Sequence, residues 1–108
     1  MWPTWARRSE VARRKRFSEE AFGPTVERLM AEVGVTYREL AARTSLSAGY
    51  LNHLVHGNRP VPGNGVVQTL AKALGVEPEH FREYRLRVIS ERLEAMPKLI
   101  DSLYRRLG

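Results

Sequence analysis

His53 and His56 stand three residues apart in the stretch SAGYLNHLVHGN, which runs from Ser47 to Asn58. On a helix that spacing puts both imidazoles on one face, as a metal site would need. Two histidines without a carboxylate or thiolate partner make a poor site, and His80 lies far off in sequence. The chain has no cysteine, which excludes a thiolate site and a disulfide framework alike. Serine, histidine and acidic residues occur, but none at a spacing that pairs a nucleophile with its base. Gly57, Gly63 and Gly65 belong to turns, not to a phosphate-cradling loop. No catalytic residue, metal or cofactor is therefore expected. What remains is hydrogen bonding by the groups of Tyr50, Asn52, His53 and His56. The two histidines would make such binding mildly pH-dependent.

These side chains need a helix to display them, and its signals are present. Ser47 is a good N-cap. Leu51, Leu54 and Val55 fall at i, i+3 and i+4 and form the inward side. At 100° per residue the outward side is centred on Gly49, Asn52, His53 and His56, with Tyr50 lateral. Gly57 ends the helix, with a positive φ expected.

Other helices surround it. Gly23 and Pro24 mark the start of FGPTVERLMAEVG, whose Val26, Leu29, Met30 and Val33 share a face and whose Gly34 stops it. TYRELAART opens with a capping box, Thr36 with Glu39. NRPVPGNG is a loop stiffened by Pro60 and Pro62. Asn64 is expected to cap GVVQTLAKAL, which buries Val67, Leu70, Ala71 and Leu74 and closes at Gly75. Pro78 opens one long helix to Met96. Its buried stripe is expected at Phe81, Arg85, Val88 and Leu93, with Ile89 and Met96 alongside. Pro97 breaks it, and a last helix offers Leu99, Ile100, Leu103, Tyr104 and Leu107 on a broad apolar face. No strand pattern or repeat occurs, so the fold class is all-α.

The 108 residues suit one compact domain, and the formal net charge is +6. Residues 1–17 hold Arg7, Arg8, Arg13, Arg14, Lys15 and Arg16 against Glu10, so most of the excess sits in a basic N-terminal arm. Residues 18–89 balance to zero, and residues 90–108 form a C-terminal helical extension that carries one net positive charge. Such an arm attracts polyanions, nucleic acid first and anionic membrane second. No apolar run is long enough to span a bilayer, and no signal-peptide pattern opens the chain, so a cytoplasmic location away from membranes is expected.

Two short helices, a tight turn and a glycine-closed third helix form a helix-turn-helix pattern. The segment from about Val35 to Phe81 resembles the Cro/C1-type (XRE-like) helix-turn-helix family. The shared marks are Leu40-Ala41, Ser47, Leu51 with Leu54, Gly57, LAKALGV and the following EPEHF. The resemblance implies a lambda-repressor-like bundle of about five helices, here with an extra C-terminal helix. It implies a homodimeric transcriptional regulator that binds double-stranded DNA with its third helix, residues 48–56, in the major groove. Tyr37 then stands at a phosphate-contacting position, with Arg38 beside it. Ala48, Gly49, Asn52 and His53 stand at or near base-facing positions, and Asn58 and Arg59 in the loop that meets the backbone; Ser47 and Tyr50, beside them, are counted with the DNA-binding residues.

Three departures from the family pattern stand out. Ser45 occupies a turn position usually held by glycine. The loop before the fourth helix is about one residue longer than usual. Ala48 and Gly49 replace the long polar side chains common at base-facing positions. Read functionally, the small pair gives clearance: Ala48 would meet a thymine methyl, and Asn52 would pair with adenine. The C-terminal face would then be a dimer seam that sets half-site spacing, and the expected action is repression. Two alternatives stand beside this: an antitoxin that also masks a toxin, and a protein-interaction adaptor with only non-specific nucleic-acid binding.

Overall fold

A computed structural model describes residues 16–108. Six α-helices and one 3-10 turn make up these residues: α1 Phe22–Val33, α2 Tyr37–Thr44, α3 Ala48–Val55, α4 Asn64–Leu74, the turn Pro78–His80, α5 Arg82–Glu94 and α6 Pro97–Leu107. The helix-turn-helix bundle expected from the sequence is the fold found.

The local signals explain most of the boundaries. Thr36 and Glu39 form the full capping box, each side chain accepting from the other's backbone N–H at 3.1 Å. Ser47 Oγ accepts from the Tyr50 N–H at 3.0 Å. Gly57 adopts φ 75°, as a helix-ending glycine should, and the Asn58 N–H closes the end on the His53 carbonyl at 2.9 Å. Ser45 stands in for the missing turn glycine, at φ 61° and ψ 21°. A left-handed serine is strained, because its Cβ crowds the following carbonyl.

The core gathers Phe22, Val26, Leu29 and Met30 from α1, Leu40 from α2, and Leu51, Leu54 and Val55 from α3. Val67, Leu70, Ala71 and Leu74 of α4 complete it with Phe81, whose ring lies 4.9 Å from that of Phe22.

Four expectations are corrected. Helix α1 begins at Phe22, so Pro24 is its third residue, still within the turn whose N–H groups lack helical partners. Gly23 is therefore no start signal. It is buried where α1 crosses the end of α3: a Cβ there would fall 2.5 Å from the Val55 carbonyl oxygen and 2.8 Å from that of Leu54. Val33 is 45% exposed, because α1 has left the core by its last turn. Asn64 is the first residue of α4 rather than its cap, which is Gly63.

The long helix after Pro78 is in fact two pieces. Phe81 is extended, at φ −83° and ψ 127°, which separates the 3-10 turn from α5 and drives the ring into the core. Beyond it, the expected stripe is only half-buried, at Arg85, Val88 and Leu93. No residue of α5 is buried, and Leu86, Ile89 and Met96 are exposed. Four helices and Phe81 already close the core, so α5 has only a partial surface to cover. Helix α6 packs against α5 and buries none of its residues.

Candidate nucleic-acid interface

Helix α3 is held from behind and bare in front. Its buried side, Leu51, Leu54 and Val55, seats it against α1 and α2. On its outward side Gly49, Asn52, His53 and His56 are exposed, while Ala48 and Tyr50 are half-buried. Ser47 is exposed and keeps its hydroxyl on the helix end. Asn58 and Arg59 are exposed in the following loop, and Arg38 is exposed on α2. Tyr37 is half-buried. Burial, with Glu27 as a smaller cause, pushes its phenol above the usual tyrosine range, so it remains a neutral donor.

Gly49 is the telling position. A Cβ built on it would meet nothing within 4 Å. Glycine inside a helix costs about 1 kcal/mol relative to alanine. Nothing within the described chain requires that cost, unlike at Gly23.

His56 has a structural role that its sequence position did not reveal. Its Nδ1 lies 2.8 Å from the Asn52 carbonyl. A carbonyl only accepts, so Nδ1 carries the proton, and the ring caps the end of α3. Asn52 and His53 remain as the outward polar pair. Among the described residues, no cluster of three or more metal-ligating side chains occurs.

Charge is unevenly distributed over the bundle. Residues 40–76 contain no aspartate or glutamate and hold Arg43, Arg59 and Lys72. This segment spans α3, the loop and α4. The acids that balance residues 18–89 are confined to 19–39 and 77–83. A neutral total thus conceals a cationic half that contains the exposed α3 face.

Arg16 is the one arm cation within the described region. Its guanidinium bonds Glu79 at 2.8 Å, which raises the arginine's already high pKa, and it lies over the Phe17 ring. Arg7, Arg8, Arg13, Arg14 and Lys15 fall outside the described residues. The segment that follows is clasped to the body. Arg85 also lies over the Phe17 ring, 4.7 Å from its centre, and donates to the Ser18 carbonyl at 2.7 Å. Buried His80 bonds the Arg16 carbonyl. Arg82 donates to the Glu19 carbonyl. The root of the arm is therefore fixed beside the N-terminus of α1.

Sequence reasoning missed Arg87. From α5 it donates through Nη1 to the Pro62 carbonyl and to Asn64 Oδ1, and through Nη2 to the Val61 carbonyl. Its position is 23 to 26 residues from these partners, beyond the reach of any local pattern.

An all-helical bundle that presents a capped, outward-facing third helix after a tight turn belongs to the helix-turn-helix class. A family model described as "Helix-turn-helix domain" matches residues 21–84. The chain belongs to this helix-turn-helix family, consistent with the Cro/C1-type resemblance of its central segment. No curated protein and no solved structure matches the chain. Among the described residues, no helix is long and apolar enough to cross a membrane.

Proposed function

We propose that the chain is a sequence-specific DNA-binding transcriptional regulator, acting without catalysis as a homodimeric repressor. The observation that carries this reading is the α3 face: exposed, free of acids over residues 40–76, and opened at Gly49 where the fold needs no glycine. The helix enters the major groove, Ala48 and Gly49 let it sit deep, and Asn52 and His53 meet base edges. Tyr37, Arg38, Asn58 and Arg59 meet phosphates, which orient the helix without reading sequence. The arm adds long-range attraction.

Two half-sites read by two α3 helices require a two-fold axis. The homodimer is proposed to form through α5 and α6, where Leu86, Ile89, Leu99, Ile100 and Leu103 are exposed together with Tyr104 and Leu107. That many large apolar side chains left in water favour a partner. Occupancy of a promoter would then exclude polymerase.

The same exposed apolar side chains of α5 and α6 also favour a second reading, the adaptor or antitoxin that uses them to hold another protein. Selection from random duplex DNA at two salt concentrations separates the two. A specific-to-nonspecific ratio of roughly a thousand or more supports the regulator. A ratio near one rejects it in favour of the adaptor.

A further inference from the structure

The loop between α3 and α4 has an unusual difficulty. Pro60 and Pro62 lack backbone N–H groups, so the loop is short of internal donors for its own carbonyls. Unsatisfied carbonyls would leave the loop poorly held, although it carries Asn58 and Arg59. Arg87 resolves this from another helix. Its two terminal nitrogens reach the carbonyls of Val61 and Pro62, and Nη1 also reaches Asn64 Oδ1 at 3.1 Å. Val61 is half-buried and Pro62 is buried, so the loop is pinned at its inner end, while Arg59 stays exposed. The planar fork of arginine suits two adjacent carbonyls, whereas a lysine offers a single point of charge.

We propose that Arg87 is a positioning residue for DNA binding: by clamping Val61 and Pro62 it fixes Asn58 and Arg59 where they meet the phosphate backbone. This rests on the DNA-binding reading above. Arg87 itself does not need to touch DNA. Because it stands on α5, Arg87 links that helix directly to the loop.

The test measures binding of the full chain to a random-sequence duplex over a series of salt concentrations. The slope of log affinity against log salt falls by about 0.9 for each phosphate that is no longer neutralised. Arg59→Ala is expected to lower the slope by the equivalent of about one phosphate. Arg87→Ala is expected to lower it by at least as much. The decisive variant is the double one. If Arg87 works through Arg59, Arg59→Ala costs almost nothing further once Arg87 is gone. Full additivity would mean that Arg87 meets phosphate directly, and it would overturn the proposal. So would a lowered melting temperature with an unchanged slope, which marks a merely structural role. If Arg87→Ala does not fold by circular dichroism, Arg87→Gln takes its place, with the same readings. Wild-type protein that binds no duplex at all rejects the DNA-binding reading itself, a result visible without any variant.

Discussion

Arg28 Nη2 lies 2.9 Å from His80 Nε2, and this contact sets the state of the buried ring. Arginine has no acceptor, so Nε2 must supply the lone pair. The other nitrogen, Nδ1, lies 2.9 Å from the Arg16 carbonyl and must donate. His80 is thereby held as the neutral Nδ1–H tautomer. Arg28 is oriented in turn by Glu20 at 3.0 Å and Glu32 at 3.1 Å. Through His80, three separate segments meet: α1, the 3-10 turn and the root of the arm.

Nitrogen-15 shifts of the imidazole read this directly. The expected pattern is a protonated Nδ1 and an unprotonated Nε2 at neutral pH. The reverse tautomer would show that the Arg28 contact does not exist in solution.

Gly23→Ala is expected to destabilise the fold by about 1–3 kcal/mol, the cost of overpacking a tight contact. The atoms it would strike are the backbone oxygens of Val55 and Leu54, which cannot swing aside as a side chain can. Urea titration gives the value. A change under a few tenths of a kcal/mol would mean that α1 and α3 do not approach this closely.

Gly49→Ala is expected to do the opposite to stability. With nothing near the new methyl, the helix gains up to about 1 kcal/mol. Under the clearance reading, the same substitution weakens binding to the selected DNA site. A variant that is more stable and binds equally well would remove the argument for deep insertion.

Ser45→Gly relieves a left-handed serine at φ 61°. The strain is roughly 1–2 kcal/mol, partly offset by the greater unfolded-state freedom of glycine. A net gain of about 0.5–1 kcal/mol in thermal or urea unfolding is expected. A loss would indicate that the serine side chain supports the turn.

Removing residues 1–15 tests the arm and leaves the clasped segment from Arg16 onward in place. Affinity for all duplexes should fall, and the salt slope should flatten by about 0.9 for each phosphate the arm had neutralised. An unchanged slope would show an idle arm. Deleting Phe17 as well would mix this effect with the loss of its packing against Arg85.

Much of the candidate interface is legible in the sequence. The outward set Gly49, Asn52 and His53 follows from helical periodicity and the leucine stripe. The acid-free stretch at 40–76 is equally visible there, but a net count over residues 18–89 averages it away. The stripe expected at Arg85, Val88 and Leu93 is only half-buried, because periodicity shows which residues share a face and not how much core remains to receive them. Arg85 instead directs its guanidinium to the carbonyls of Ser18, Glu79 and His80.

By itself the sequence determined the helices up to Gly75 to within a residue or two, the caps at Thr36 and Ser47, the strained turn at Ser45 and the left-handed stop at Gly57. Each depends on groups within a few residues of one another, where covalent geometry limits the outcomes. Tertiary structure alone decided why Gly23 is bare, how His80 holds the arm's root and how Arg87 holds the loop. Arg28 and His80 are 52 residues apart, and Arg87 and Val61 are 26 apart. Over such separations only the packing of whole helices brings donor to acceptor. The bareness of Gly23 and Gly49 looks the same in one dimension. The packed bundle distinguishes them, because one faces two carbonyl oxygens and the other faces open space.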